Sequence, residues 1–199
     1  MHRKIVRRLD ALKRSFFSRV PRKLPSGLGR YNSVYSMLLK HCLKRGKLRG
    51  RLVEVGPFTG EFMNFLCTEP GFNSGGQLDI LGLEPTERAV KLMPEAARKR
   101  TVCSTVEDFV ERNPGQKSKA DVVIAANVFN SPRVSKKSIP FVLHAISELT
   151  RKGGKVILKT DIKNNIPAPF HIKKEGFEVI DSLEQRTPSE FVLVLQKTT

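Results

Sequence analysis

The segment at 121–126, Asp-Val-Val-Ile-Ala-Ala, is apolar at every position after its first. A strand with one wet face alternates polar and apolar residues, so an unbroken apolar run belongs in a sheet covered on both faces. Such sheets are parallel, and parallel neighbours need long crossover connections, which are usually helices. The chain supplies them. β-Prone runs at 51–55, 78–83 and 101–103 alternate with segments of helical period: one carries Phe62, Phe65 and Leu66, and the next is opened by Thr86 as a cap and carries Ala89, Val90, Leu92 and Met93. An acidic start at Glu107 and Asp108 opens a third helix, and a polar linker at 113–119 precedes the central run. Beyond the polar stretch 130–137, a helix over about 139–150 places Phe141, Val142, Ala145, Ile146 and Leu149 on one side, with Gly153-Gly154 as its stop. A strand at 155–159, a short segment at 166–175 with two prolines, and strands at 177–182 and 191–195 close the chain. The last two strands are near enough in sequence to pair antiparallel. The pattern predicts an α/β fold, with a sheet parallel apart from one strand and helices on both faces.

Charge divides the molecule. The 199 residues carry 36 Lys+Arg against 19 Asp+Glu, a net of +17, but residues 1–53 hold 16 of those cations and a single acid, Asp10. The remainder is close to neutral, at 20 against 18. We therefore expect two parts: a basic helical N-terminal extension at 1–50 and one folded domain at 51–199. No apolar run has the length needed to cross a bilayer. Cys42, Cys67 and Cys103 are few, odd in number and far apart, which argues against a disulfide framework and a zinc-ligand spacing and favours a reducing compartment, with the cytoplasm as the simplest expectation.

In open parallel sheets, ligands bind beyond the carboxyl ends of the strands, where strand order reverses. After the first strand stands Glu54-Val-Gly56-Pro57-Phe58-Thr59-Gly60, in which glycines permit close backbone approach and a helix N-terminus offers free N–H groups. After the second stands Glu84-Pro85, an acid placed to accept hydrogen bonds from a ribose diol. These features describe a nucleoside site. They resemble the class I S-adenosylmethionine-dependent methyltransferases, from about residue 51 to the C-terminus.

The resemblance implies a Rossmann-like seven-stranded sheet, mostly parallel with an antiparallel C-terminal strand, and S-adenosyl-L-methionine as cofactor. Glu54, Gly56, Pro57, Phe58, Thr59 and Gly60 match the first motif of that family, which holds the amino acid end of the cofactor. Glu84 and Pro85 match the ribose-binding position, Thr105 and Val106 the adenine contact, and Asn127 the floor beneath the methyl group. Phe58 stands where the family often has a glycine, and Thr105 where an acid often binds the adenine amino group. A nicotinamide or flavin enzyme would use the same sheet, but its Gly-x-Gly-x-x-Gly fingerprint is absent, only Gly56 and Gly60 remaining.

Catalytic residues are not identified by the sequence, because methyl transfer needs mainly in-line placement of a nucleophile. Asn127 and Asn130 are candidates to orient an acceptor, and equally serve as turn and cap residues. There is no Asn-Pro-Pro-aromatic tetrad and no metal-ligand cluster; His144 reads as a surface or packing residue. Ile5, Leu9, Leu12, Phe16 and Val20 predict an amphipathic basic helix within the extension. It could contact RNA or another polyanion, lie peripherally on an anionic membrane, act as a transit peptide to a mitochondrion or other organelle, or pack as a solvated helix. A second apolar segment at 34–43, with Tyr31 and Tyr35 at its start, is a candidate lid over the cofactor pocket. Arg133, Lys136 and Lys137 favour an acidic substrate. The expected function is methyl transfer to an acceptor such as RNA or an anionic small molecule; the alternative is a non-catalytic RNA-binding or assembly protein that retains the fold.

Overall fold

The structure is a computed structural model and describes residues 21, 23–42, 49–73, 78–132, 134–161, 166–186 and 189–199. Strands β1 (Gly50–Val55), β2 (Leu78–Leu83), β3 (Thr101–Val102), β4 (Ala120–Ala126), β5 (Thr150–Thr160), β6 (Phe177–Arg186) and β7 (Ser189–Lys197) form one sheet in the order β3-β2-β1-β4-β5-β7-β6. Every pairing is parallel except those of β7, which runs antiparallel between β5 and β6. The fold class anticipated from the sequence is the one observed, a seven-stranded Rossmann-like sheet.

The central strand shows why its sequence has no alternation. Val122 and Ile124 enter a core that also holds Leu52, Ile157, Phe62 and Leu66. Val123 and Ala125 point the other way, into a core with Val53, Val156, Phe109 and Ile146. Helices α1 (Asn32–Cys42), α2 (Glu61–Thr68), α3 (Pro70–Asn73), α4 (Glu87–Leu92), α5 (Glu95–Arg98), α6 (Val106–Arg112), α7 (Ile139–Leu149) and α8 (Pro169–Lys174) flank the sheet. α1 and α2 cover the first face, and α6 and α7 the second.

Four details differ from the sequence reading. The α1 segment supplies Val34, Tyr35, Met37 and Leu38 to the first core, so it is built into the domain and not poised above it; the core continues across the boundary expected at 50/51. Phe141 and Leu92 are 69% and 66% exposed, because the apolar stripes of their short helices are narrower than the count of greasy residues suggests. Gly153 and Gly154 do not stop α7, which passes at Leu149 directly into β5. They lie instead in an irregular stretch of β5 where the pairing jumps from Ala120↔Thr150 to Val122↔Lys155. A Cβ on Gly154 would stand 2.8 Å from the Arg151 carbonyl oxygen, so the close approach requires glycine. Thr86 occupies the cap position of α4, but its side chain makes no capping bond.

The basic helix anticipated around Ile5 to Val20 lies outside the described residues, as does Arg133. Among the described residues no helix is long and apolar enough to cross a membrane, and no group of three His, Cys, Asp or Glu is placed to hold a metal ion.

Candidate nucleoside-binding cleft

Strand order reverses between β1 and β4, and the carboxyl ends of β1, β2 and β4 open into a cleft of about 680 Å³. Its size suits a cofactor-sized ligand. Of the residues proposed from sequence, Gly56, Phe58, Glu84, Pro85, Thr105, Val106 and Asn127 line it. Glu54, Pro57, Thr59 and Gly60 do not; they shape the turn behind it.

That turn is held from both sides. The Gly56 amide donates to the Leu83 carbonyl at 2.8 Å, tying the end of β1 to the end of β2, and the Gly60 amide donates to Pro57 at 2.8 Å. Gly60 opens α2 at φ +69°, and a Cβ there would meet Met93 and Ala97 at 3.0–3.2 Å, so glycine serves both backbone and packing. Phe58 also sits at positive φ, +51°, with its ring 60% exposed at the cleft. The position that glycine often fills thus keeps a glycine-like backbone while carrying an aromatic side chain. A left-handed conformation costs an ordinary residue ~1–2 kcal/mol, whereas glycine costs ~0.5–1 kcal/mol in chain entropy. Phe58→Gly is therefore expected to raise stability by about 0.5–1 kcal/mol and Phe58→Ala to leave it unraised. A denaturant midpoint for Phe58→Gly at or below the parent's would show that ring contacts outweigh the backbone strain.

Glu84 is 4% exposed at the end of β2. Its Oε2 accepts the Phe58 amide at 3.0 Å and its Oε1 the Thr86 amide at 2.9 Å. Each oxygen keeps a lone pair for a further donor. Thr105 caps α6, its hydroxyl accepting the Asp108 amide at 3.1 Å, so its oxygen is already engaged. Asn127 has φ +61°, a conformation that Asn tolerates. Its amide donates to the Lys159 carbonyl at 2.8 Å, and its side-chain oxygen accepts from Asn130 at 3.2 Å. Asn130 also accepts from Thr160 and does not line the cleft, which makes it a brace between β4 and β5. His144 pairs with Glu175 at 2.7 Å on the surface, and Lys136 and Lys137 are exposed and do not line the cleft.

Glu54 is 2% exposed, and its Oε2 has no hydrogen-bond partner. Burial pushes its carboxyl up to about 8, with Arg30 pulling the other way. The acid is thus mostly neutral at pH 7, and a donor brought to Oε2 would be met by an unsatisfied acceptor.

The N-terminal segment contributes residues that the sequence pointed to only in part. In the 3-10 turn Ser26–Tyr31, Arg30 and Tyr31 line the cleft. Tyr31 stacks on Phe62 with ring centroids 4.9 Å apart, and burial, reinforced by Glu54, pushes its hydroxyl up to about 12, so it is a neutral wall and not a base. Arg30 lies over the Tyr31 ring and pairs with Glu61 in the first turn of α2. Tyr35 packs edge-on against Phe62, Phe65 and Phe72, a core role. Lys159, near the end of β5, also lines the cleft; its place at the carboxyl end of a parallel strand was the available signal for it.

No protein-family model matches the chain, and no curated protein matches it. Solved structures do. A carbon methyltransferase, CurJ, superposes with a TM-score of 0.58 at 17% identity over 84% of this chain, which spans about half, 53%, of that one. A TehB-like methyltransferase dependent on S-adenosylmethionine, from Corynebacterium glutamicum, gives 0.62 at 13% identity, covering 98% of this chain and 97% of its own. A Burkholderia thailandensis 1,6-didemethyltoxoflavin-N1-methyltransferase, solved with S-adenosylhomocysteine, gives 0.61 at 14% identity over 86% of this chain and 79% of its own. The fold is that of the class I S-adenosylmethionine-dependent methyltransferases. The first and third of these proteins are named for different acceptor atoms, carbon and nitrogen, so the shared architecture leaves the acceptor open.

Proposed function

We propose that this protein is an S-adenosylmethionine-dependent methyltransferase whose cofactor site is the cleft beyond β1, β2 and β4. The observation that carries the reading is Glu84: a buried carboxylate at the end of the second strand, fixed by two backbone amides and facing the cleft with acceptor capacity to spare. A vicinal diol matches that capacity. The orphaned Oε2 of Glu54 suits a cationic or N–H donor at the amino acid end. Leu83, Pro85, Val106 and Val134 offer apolar contact for a heteroaromatic ring. The residues present therefore fit the cofactor.

Bound there, the cofactor supplies an electrophilic methyl group on a sulfonium. The chain's own task is placement. Glu84 fixes the ribose, and Gly56 lets the backbone approach closely; Asn127, locked to β5, sets the floor of the cleft. Thr105 and Val106 border the adenine, and Pro57, Thr59 and Gly60 hold the turn in shape. With Tyr31 kept protonated, none of these groups is required as a base.

Calorimetric titration with S-adenosylmethionine and S-adenosylhomocysteine tests the reading. Dissociation constants in the ~1 μM to 1 mM range support it; absence of binding at millimolar ligand, with folding confirmed by circular dichroism, would falsify it.

A further inference from the structure

Among the described residues two cations face the cleft, Lys159 and Arg30, and neither is needed at the adenosine end. Lys159 is 5% exposed yet lines the cleft at the end of β5, beside Ala126, its partner on β4 and a small residue that lines the cleft too. Arg30 reaches the same cleft from the turn before α1. The carboxylates that balance them stand elsewhere. Asp161 lies 3.1 Å from the Lys159 ammonium and Glu190 3.6 Å, while Glu61 pairs with Arg30, and none of the three lines the cleft. Glu190 is itself buried and accepts a hydrogen bond from Ser33 of α1, which fixes it behind the lysine.

Donor counting makes the arrangement informative. An ammonium has three N–H donors. Asp161 is within reach of one, and Glu190 is too far for a proper hydrogen bond. A buried lysine with unused donors at a cleft wall is a place for a ligand oxygen, since buried polar groups are rarely left unsatisfied. Among the described residues the acids that line the cleft, Glu84 and Glu107, belong to the β2 and α6 side, so Lys159 faces the cleft with no lining acid beside it on β4 or β5. Tyr31, Val128 and Pro132 also line the cleft and give it an apolar character.

We propose that Lys159 and Arg30 recognise an oxyanion, a carboxylate or phosphate, on a largely apolar methyl acceptor. This assigns a substrate class to the cleft and rests on the methyltransferase reading for the identity of the ligand as acceptor. Lys159, backed by Asp161 and Glu190, acts by binding and orienting the acceptor.

The test compares benzoate, phenyl phosphate and the neutral benzamide as probes, by ligand-detected NMR on the full chain in the presence of S-adenosylhomocysteine. At least one anion should bind tenfold or more tightly than benzamide, and the preferred anion distinguishes carboxylate from phosphate. Lys159→Met with Glu190→Gln, which removes the lysine without stranding its buried partner, should lose tenfold or more of that affinity, and Lys159→Arg should retain most of it. Arg30→Gln, at a half-exposed position that spares the core, should lose threefold or more. Equal binding of benzamide and both anions overturns the proposal, as does unchanged anion affinity in Arg30→Gln together with the folded double variant. Homocysteine-cofactor binding measured on the same samples separates the two levels: anion preference without it sinks the cofactor reading alone, and cofactor binding without anion preference sinks the oxyanion site alone.

Discussion

Raising the pH from about 4.5 to about 8 is expected to destabilise this protein by several kcal/mol, with most of the slope traceable to Glu54. In the folded state burial holds the Glu54 carboxyl near 8, against 4.5 for an ordinary glutamate. Between those values the unfolded chain has released the proton and the folded chain has kept it, so each rise in pH favours unfolding. Below the window both states are protonated and above it both are ionised, so the slope vanishes at either side. At ~1.4 kcal/mol per unit, the full loss across the interval from 4.5 to about 8 is on the order of 5 kcal/mol. Other resolved shifts fall outside the window: Asp181, bonded to Lys40 and His41, is held down at about 2, and Tyr31 and Tyr35 are pushed up to about 12. Urea unfolding at several pH values checks the expectation, and Glu54→Gln should flatten the profile between pH 5 and 8. A profile as steep in the variant as in the parent would assign the slope to other groups.

Glu84→Ala is the substitution expected to cost cofactor affinity most, by ~1–3 kcal/mol or roughly 5- to 150-fold. It removes the acceptors proposed for the ribose and also leaves the Phe58 and Thr86 amides without their carboxylate. The second effect should lower folding stability by about 1–3 kcal/mol, because hydrogen bonds to a charged group exceed neutral ones. Measuring both quantities separates the roles. Lost stability with an unchanged cofactor dissociation constant would confine Glu84 to bracing the turn; lost affinity in a chain that remains folded at the assay temperature supports ribose recognition. Glu84→Gln keeps the size but replaces one acceptor by an N–H₂ that confronts a backbone amide, so it should fall between the parent and Glu84→Ala in both measurements.

The lining of the candidate cleft was legible to the extent that it is written in consecutive residues. Gly56, Phe58, Glu84, Thr105 and Asn127 follow their strands directly, and parallel topology brings strand ends together, so their convergence on one cleft follows from the order of elements. The exposure of Phe141 and the glycines inside β5 were not legible, since each depends on how one element meets its neighbour: α7 buries a narrow stripe, and β5 bulges against Ala120. The N-terminal segment misled in a different way. Its charge suggested a separate extension, but Val34, Tyr35 and Leu38 at helical spacing are what the first core consumes, and charge density says little about a helix whose other side is buried.

By itself the sequence determined the sheet, its helices and the strand ends where a nucleoside could bind, because period, apolar runs and turn residues act over a few positions. Only the tertiary structure decided the charge state and surroundings of the cleft. Glu54 keeps its proton, Tyr31 becomes a wall and Lys159 a buried cation because residues up to 157 apart, as Ser33 and Glu190 are, come together and exclude water. Desolvation and long-range pairing have no local signature, and they set the chemistry of this cleft.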